Sequence, residues 1–115
     1  MAARADLNRL VLLKLGVVDA NEAPEAEDYA DVDLQVQAKL EELYGDGLIP
    51  FDLDADIPAK YMVAISFIVA VELIDDYAAH SRTETLMAGA DRGKRALYRY
   101  AARPYSGAVV PSEYF

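Results

Sequence analysis

The chain has 115 residues, no cysteine, one histidine and a formal net charge of −9. This length predicts one domain with a modest hydrophobic core. The absence of cysteine excludes disulfides, thiolate metal sites and cysteine nucleophiles. The acidic balance argues against sequence-independent binding of nucleic acid, because such binding depends on Lys and Arg that neutralise phosphates. The N-terminus, Met1 to Asp6, is polar and has no secretory pattern, which predicts synthesis in the cytoplasm.

Two amphipathic helices are predicted in the first half of the chain. Apolar residues at helical spacing indicate a first helix from about Ala5 to Leu15, which Gly16 would end. Pro24 and the acids that follow favour the start of a second helix, which should extend to about Tyr44. Its main apolar stripe consists of Tyr29, Val32, Val36, Leu40 and Leu43, and a weaker stripe on the other side consists of Ala30, Leu34 and Ala38. The weaker stripe predicts a subunit interface, although a lone exposed leucine would be an equally ordinary explanation.

The stretch from Ile57 to Tyr77 predicts the central helix of the domain, over about residues 57–79. Between Tyr61 and Val71 only Ser66 interrupts the apolar residues, and no face is favoured, as is typical of a helix covered on all sides. Pro58 suits a first helical position, and the motif from Ser81 to Glu84 resembles a capping box that would place the helix end near His80. Charged residues bracket this apolar stretch, which is too short for a membrane span. We therefore expect core, and no contact with a membrane.

A fourth helix is predicted after the central one, with apolar and basic residues on opposite faces. Leu86, Ala90, Gly93, Leu97 and Ala101 share one face, and Arg92, Arg95, Arg99 and Arg103 fall on the other. The basic stripe would either pair with acids of the second helix or contact an acidic partner or a passing phosphate backbone. Arg92, Arg95 and Arg99 are therefore candidates for the subunit interface, together with the weaker stripe of the second helix.

The last thirteen residues predict an extended tail that docks on another protein. Three residues, Pro104, Gly107 and Pro111, rule out a continued helix. The sequence thus predicts that the chain consists of a helical domain over residues 1–102 and a docking tail over residues 103–115. The candidate partner-binding residues are Arg103, Pro104, Tyr105, Val109, Val110, Tyr114 and Phe115, since apolar and aromatic side chains of this kind anchor extended peptides. The alternative is that the tail packs back on its own domain.

The sequence contains little that points to catalysis. Glu72, Asp76 and His80 have the spacing of one helical face and could be drawn as a metal or acid–base site. A single histidine and no matching carboxylates on other helices favour a plain acidic last turn instead. We expect no catalytic residue, no metal ligand and no cofactor, and hence a protein that is not an enzyme.

The chain resembles the head-to-tail adaptor, or connector, proteins of tailed bacteriophages, including the tail accessory factor type. The resemblance covers most of the chain. It depends on LNRLVLLKLGVVDANEAPEAEDYADVDLQVQAKLEELY for the first two helices, on IPAKYMVAISFIVAVELIDDY for the third, and on the closing RPYSGAVVPSEYF. It implies an all-α, four-helix bundle-like subunit in a ring, usually of twelve, that binds the portal protein at the capsid vertex. Further tail or head-completion proteins would bind below it.

This resemblance gives the predicted features roles. The protein would be part of the virion, in the neck of the particle, and it would be assembled in the host cytoplasm. Double-stranded DNA would pass through the ring during genome packaging without sequence-specific binding. Residues 19–56 carry thirteen acids against one lysine, and acids that line the channel would repel DNA. A competing hypothesis is an acidic helical binding module, such as a DNA-mimic inhibitor, and a third is a carboxylate metalloenzyme that uses Glu72, Asp76 and His80.

Overall fold

A computed structural model describes residues 4–18 and 25–102 of the chain. Within these ranges the protein is all-α, as the sequence predicts. Its helices are α1 (Arg4–Leu15), α2 (Ala26–Gly45), α3 (Ala59–Glu72) and α4 (Thr83–Ala101), and a short 3-10 helix (His80–Arg82) precedes α4. The predicted tail, residues 103–115, lies outside the described residues. None of the described helices is long and apolar enough to cross a membrane.

The core is built around α3, as its apolar sequence predicts. Helix α4 packs along α3 most extensively, α1 packs on α3 as well, and α2 packs mainly on α1. Most residues of the predicted stripes are buried: Leu7, Val11 and Leu15 of α1, Val32, Val36, Leu40 and Leu43 of α2, and Leu86, Ala90, Gly93 and Leu97 of α4. Tyr29 of α2 is only partly buried, and Ala101, the last residue of α4, is exposed. Each helix therefore contributes its apolar face to a single hydrophobic core.

Polar contacts join α1 to α2. The guanidinium of Arg4 lies 3.2 Å from Asp33 Oδ1, hydrogen-bonds Gln37, and donates to the Leu53 carbonyl oxygen at 3.3 Å. The fully buried Asn8 donates from Nδ2 to Asp33 Oδ1 at 2.9 Å. Since Asp33 accepts from both residues, it fixes how α1 lies against α2.

Three segments end in the same hydrogen-bonded turn, the Schellman motif, with one residue in the left-handed conformation. At the end of α1, Gly16 has φ +80° and the Val17 amide donates to the Leu12 carbonyl. At the end of α2, Gly47 has φ +76° and the next amide donates five residues back to Leu43. Both glycines fit, because glycine adopts positive φ without a steric penalty. The stop predicted at Gly16 is thus confirmed, and α2 ends at Gly45, one residue beyond the predicted Tyr44.

The predicted end of α3 near His80 is wrong, because the helix ends at Glu72. Residues 73–78 form turns that bury Leu73 and Ile74 against the core and leave Asp75 and Asp76 exposed. These turns close with the third Schellman motif, in which Ala78 has φ +52° and the Ala79 amide donates to the Ile74 carbonyl. An alanine at this position gives no sequence signal, since glycine or asparagine is the usual residue there.

The capping box predicted at Ser81 to Glu84 is also wrong, since α4 begins without a side-chain cap. Ser81 lies inside the 3-10 helix, and the Thr83 hydroxyl donates backwards to the His80 carbonyl at 2.8 Å. No side chain therefore caps the N–H groups of the first turn of α4, which follows directly on the 3-10 turn.

Helices α3 and α4 approach closely where α4 has glycines. A Cβ atom at Gly93 would lie 2.8 Å from the Ala64 carbonyl oxygen and 3.1 Å from the Ala64 Cα. One turn earlier, the ring of Phe67 covers Gly89, where a Cβ atom would meet the ring at 2.3 Å. These two positions allow the backbones to pack at a distance that no larger side chain would permit.

Candidate functional site

The candidate interface residues of α2 are exposed and border an acidic surface. Ala30, Leu34 and Ala38 are all exposed, and Leu34 exposes 72 % of its surface. Leu34 and Ala38 border an open cleft of about 550 Å³ between α2 and the turns that follow α3. The other residues of this acidic surface are Asp28, Asp31, Gln35, Leu73, Asp76 and Tyr77. Leu34 and the two alanines therefore lie on the solvent-facing side of α2, as the weaker stripe predicts.

The carboxylates of the acidic surface have no cationic partner within the described ranges. The ion pairs of α2 lie elsewhere: Asp33 binds Arg4, and Lys39 lies 3.1 Å from Glu42 and 3.7 Å from Glu72 of α3. Asp28, Asp31 and Asp76 instead surround Tyr77. The negative charge of this surface is therefore uncompensated by this part of the chain.

Tyr77 is partly buried among the carboxylates of the acidic surface. Burial, with the charges of Asp28, Asp31 and Asp76, raises the pKa of the Tyr77 phenol from 10.0 to about 12. The hydroxyl donates to the Asp28 carbonyl oxygen at 3.4 Å. A tyrosinate would add a further negative charge, so the surface holds the phenol in its neutral form.

A basic groove lies on a different face, between α3 and α4. Its volume is about 260 Å³, and its floor consists of small side chains, Ala64, Gly89, Gly93 and Ala96. Lys60, Arg92 and Arg99 surround it, and its remaining residues are Val63, Phe67 and Tyr100. The expectation that α3 is covered on all faces is wrong here, because Val63 is 54 % exposed on the groove. On this side α3 lines the groove that it forms with α4.

Aromatic rings hold the cations of the basic groove. The Lys60 ammonium lies 4.6 Å from the Tyr100 ring centroid, and the Arg99 guanidinium lies 5.6 Å from the same ring. The Arg92 guanidinium lies 5.9 Å from the Phe67 ring. Cation–π contacts orient a charge but do not neutralise it. The three cations of the groove therefore remain available to an anionic partner.

Arg92, Arg95 and Arg99 of α4 are exposed, as their stripe predicts, but they do not pair with acids of α2 in the described part of the molecule. Arg95 pairs with Asp91, one turn away on α4 itself, at 3.4 Å. Arg92 and Arg99 flank the groove. Helix α4 packs mainly on α3, and none of the ion pairs among the described residues joins it to α2.

The arrangement of Glu72, Asp76 and His80 on one helical face is not formed, because α3 ends at Glu72. His80 Nε2 instead lies 2.8 Å from Asp75 Oδ1 at an exposed position. Among residues 4–18 and 25–102, no three His, Asp or Glu side chains come together in a way that could hold a metal ion.

Sequence reasoning missed the α3 side of the basic groove. Lys60, Val63 and Phe67 were assigned to the core helix, yet their spacing of three and four residues places them on one face. On α4 the small residues Gly89, Gly93 and Ala96 are spaced by four and three residues, so they also share one face of their helix. The two rows together could have indicated the groove. The candidate residues from Arg103 to Phe115 lie outside the described residues.

Comparison of the chain with protein-family models, with curated proteins and with solved structures finds no match. The class that the fold defines is an all-α domain with four helices, and its candidate site is a pair of exposed surfaces of opposite charge.

Proposed function

We propose that this protein is a structural assembly protein of a tailed bacteriophage, a head-to-tail adaptor that forms a ring, joins the portal to the tail and extends the DNA channel. It would act in the neck of the virion after assembly in the host cytoplasm, and it would not be an enzyme. The resemblance in helical layout described above supports this proposal. The observation that carries it is the pair of exposed surfaces of opposite charge.

These surfaces are what a subunit of an assembly requires. The acidic surface combines carboxylates that lack an ion pair in the described residues with the exposed Leu34. The basic groove combines three cations with the exposed Val63. Apolar surface bordered by uncompensated charge is typical of protein–protein contacts, since a partner can bury the apolar part and neutralise the charge.

Native mass spectrometry of the purified protein, alone and mixed with the portal protein of the same phage, tests this proposal. We expect a closed ring, of twelve subunits, in at least one of the two samples, and negative-stain electron microscopy should show its central channel. A chain that stays a monomer or dimer in both samples would contradict the adaptor proposal.

A second candidate function is the acidic binding module. The grouping of Asp28, Asp31 and Asp76 on one surface favours it, since a row of carboxylates can mimic the phosphates that a basic protein binds. The predicted outcome differs: such a module would form a complex of fixed, small stoichiometry with a DNA-binding protein and no ring. It would also leave the basic groove without a role.

A further inference from the structure

We infer that the acidic surface of one copy binds the basic groove of the next copy, with Leu34 seated between α3 and α4 of its neighbour. This inference rests on the proposed function, because it names the contact from which the ring would be built. The occupant of the groove is a second copy of this chain, because its acidic surface fits the groove in charge, shape and length.

The charges of the two surfaces are complementary. Asp28, Asp31 and Asp76 lie on the acidic surface, and neither they nor the groove cations Lys60, Arg92 and Arg99 have an ion-pair partner among the described residues. Each surface therefore has the charge that the other lacks. Complementary charge at the edge of a contact orients the two partners and speeds their association.

The apolar parts also match. On α2, Leu34 projects between two alanines, so the helix presents one large side chain on an otherwise low ridge. In the groove the Phe67 ring and the Ala64 backbone already fill the space beside Gly89 and Gly93, so a leucine would lie against the exposed Val63 and against Ala96. At 1.5 Å per residue the ridge from Ala30 to Ala38 is about 12 Å long, and the α4 side of the groove from Gly89 to Tyr100 is about 16 Å long.

The two surfaces share no residue, so one copy can bind a different neighbour through each of them at the same time. Such a contact is heterologous, and it leaves one free surface at each end of every dimer, so the chain adds further copies until the ring closes. An isologous dimer would instead form the same contact twice, pairing residue i with j and j with i, and would leave neither surface free for a third copy.

Disulfide trapping in the full chain tests the contact directly, since the natural sequence has no cysteine. Leu34→Cys protein is mixed with Val63→Cys or Ala96→Cys protein under mild oxidation. We expect a covalent dimer between unlike variants, at least tenfold more abundant than with the exposed control Ala55→Cys. Dimers of Leu34→Cys with itself would overturn the inference in favour of an isologous contact.

The tail is the other possible occupant of the groove, and a Val109→Cys variant tests it. If Ala96→Cys forms its disulfide with Val109→Cys and not with Leu34→Cys, the inference is overturned and the groove binds the C-terminal segment. A charge test is independent of cysteine chemistry. Asp31→Arg and Arg92→Asp should each weaken self-association about tenfold, and one chain that carries both should recover it, since every contact then regains an opposite pair. No recovery in that double variant would also overturn the inference.

The failure of this contact and the failure of the adaptor proposal are distinguishable. A ring in native mass spectra without disulfides between Leu34→Cys and the groove variants would overturn the contact and leave the adaptor standing. Disulfides between those variants in a chain that never closes a ring would support the contact and overturn the adaptor.

Discussion

The close packing of α3 on α4 predicts that Gly93→Ala destabilises the domain. A helix interior normally gains about 1 kcal/mol when glycine is replaced by alanine, because alanine loses less conformational entropy on folding. At Gly93 the added Cβ would lie 2.8 Å from the Ala64 carbonyl oxygen and 3.1 Å from the Ala64 Cα. Ordinary carbon contacts lie at about 3.5–4.0 Å. The obstacle is backbone, so no side chain can move away, and the two helices must separate by roughly half an ångström.

The expected magnitude follows from these two opposing effects. Overpacking of a core costs about 1–3 kcal/mol, and the gain in helix propensity offsets about 1 kcal/mol of it. We expect Gly93→Ala to lower the free energy of unfolding by about 1 kcal/mol, which corresponds to a decrease in Tm of roughly 4 °C or more for a domain of this size.

Gly45→Ala is the matched control. Gly45 is also helical, but a Cβ atom there would have nothing within 4 Å. This variant should be neutral or more stable by up to about 1 kcal/mol. Urea unfolding followed by circular dichroism at 222 nm, at one protein concentration for all variants, measures both changes. Should Gly93→Ala be as stable as Gly45→Ala, the close approach of α3 and α4 described above would be refuted.

Three further predictions concern the left-handed turn, Tyr77 and the tail. Ala78→Gly should raise the free energy of unfolding by about 1 kcal/mol, because glycine adopts φ +52° without the strain of an alanine side chain. In the same urea assay Gly47→Ala should lower it by a similar amount, and equal stability of both variants would contradict this prediction. The pKa of Tyr77 is about 12 in the folded protein and near 10 in the unfolded chain. The neutral phenol therefore contributes to the free energy of unfolding below pH 10, and this contribution is lost as pH rises from about 10 to 12. In urea unfolding, the free energy of unfolding of Tyr77→Phe should therefore fall less than that of the natural protein between about pH 10 and 12. Equal decreases in the two proteins would show that the acidic surface does not act on the phenol. Deletion of residues 103–115 should leave the helical circular dichroism intact and abolish co-purification with the portal protein, so a truncated chain that still binds the portal would refute the predicted docking role of the tail.

The helix ends show where sequence patterns succeed and where they fail. Gly16 and Gly47 could be recognised as stops, because glycine is the residue that most easily takes positive φ at a helix end. Helix α3 ends at Glu72 with Leu73 as its C-terminal cap, and neither is a glycine or a proline, so its true end could not be read from the sequence. The apparent alignment of Glu72, Asp76 and His80 failed for the same reason, since it assumed a helix that continues beyond Glu72.

The candidate surfaces show the same limit. The stripe of Leu34 on α2 and the arginines of α4 followed from helical periodicity, and both are exposed as that periodicity predicts. The partner of the α4 stripe did not follow from it. Periodicity says which residues share a face but not which helices are neighbours, and α4 lies on α3 instead of α2.

The sequence by itself determined the all-α fold, the position of the apolar helix at the centre, the buried stripes and the uneven distribution of charge. These properties depend on residues close together in the chain, where helix geometry translates spacing directly into a face. The tertiary structure alone decided that α3 and α4 form a groove beside Val63, that Lys60 joins the α4 cations there, and that Tyr77 lies among the carboxylates of the acidic surface. Those features arise from contacts between residues far apart in the chain, and such contacts are set by how closely two helices can pack.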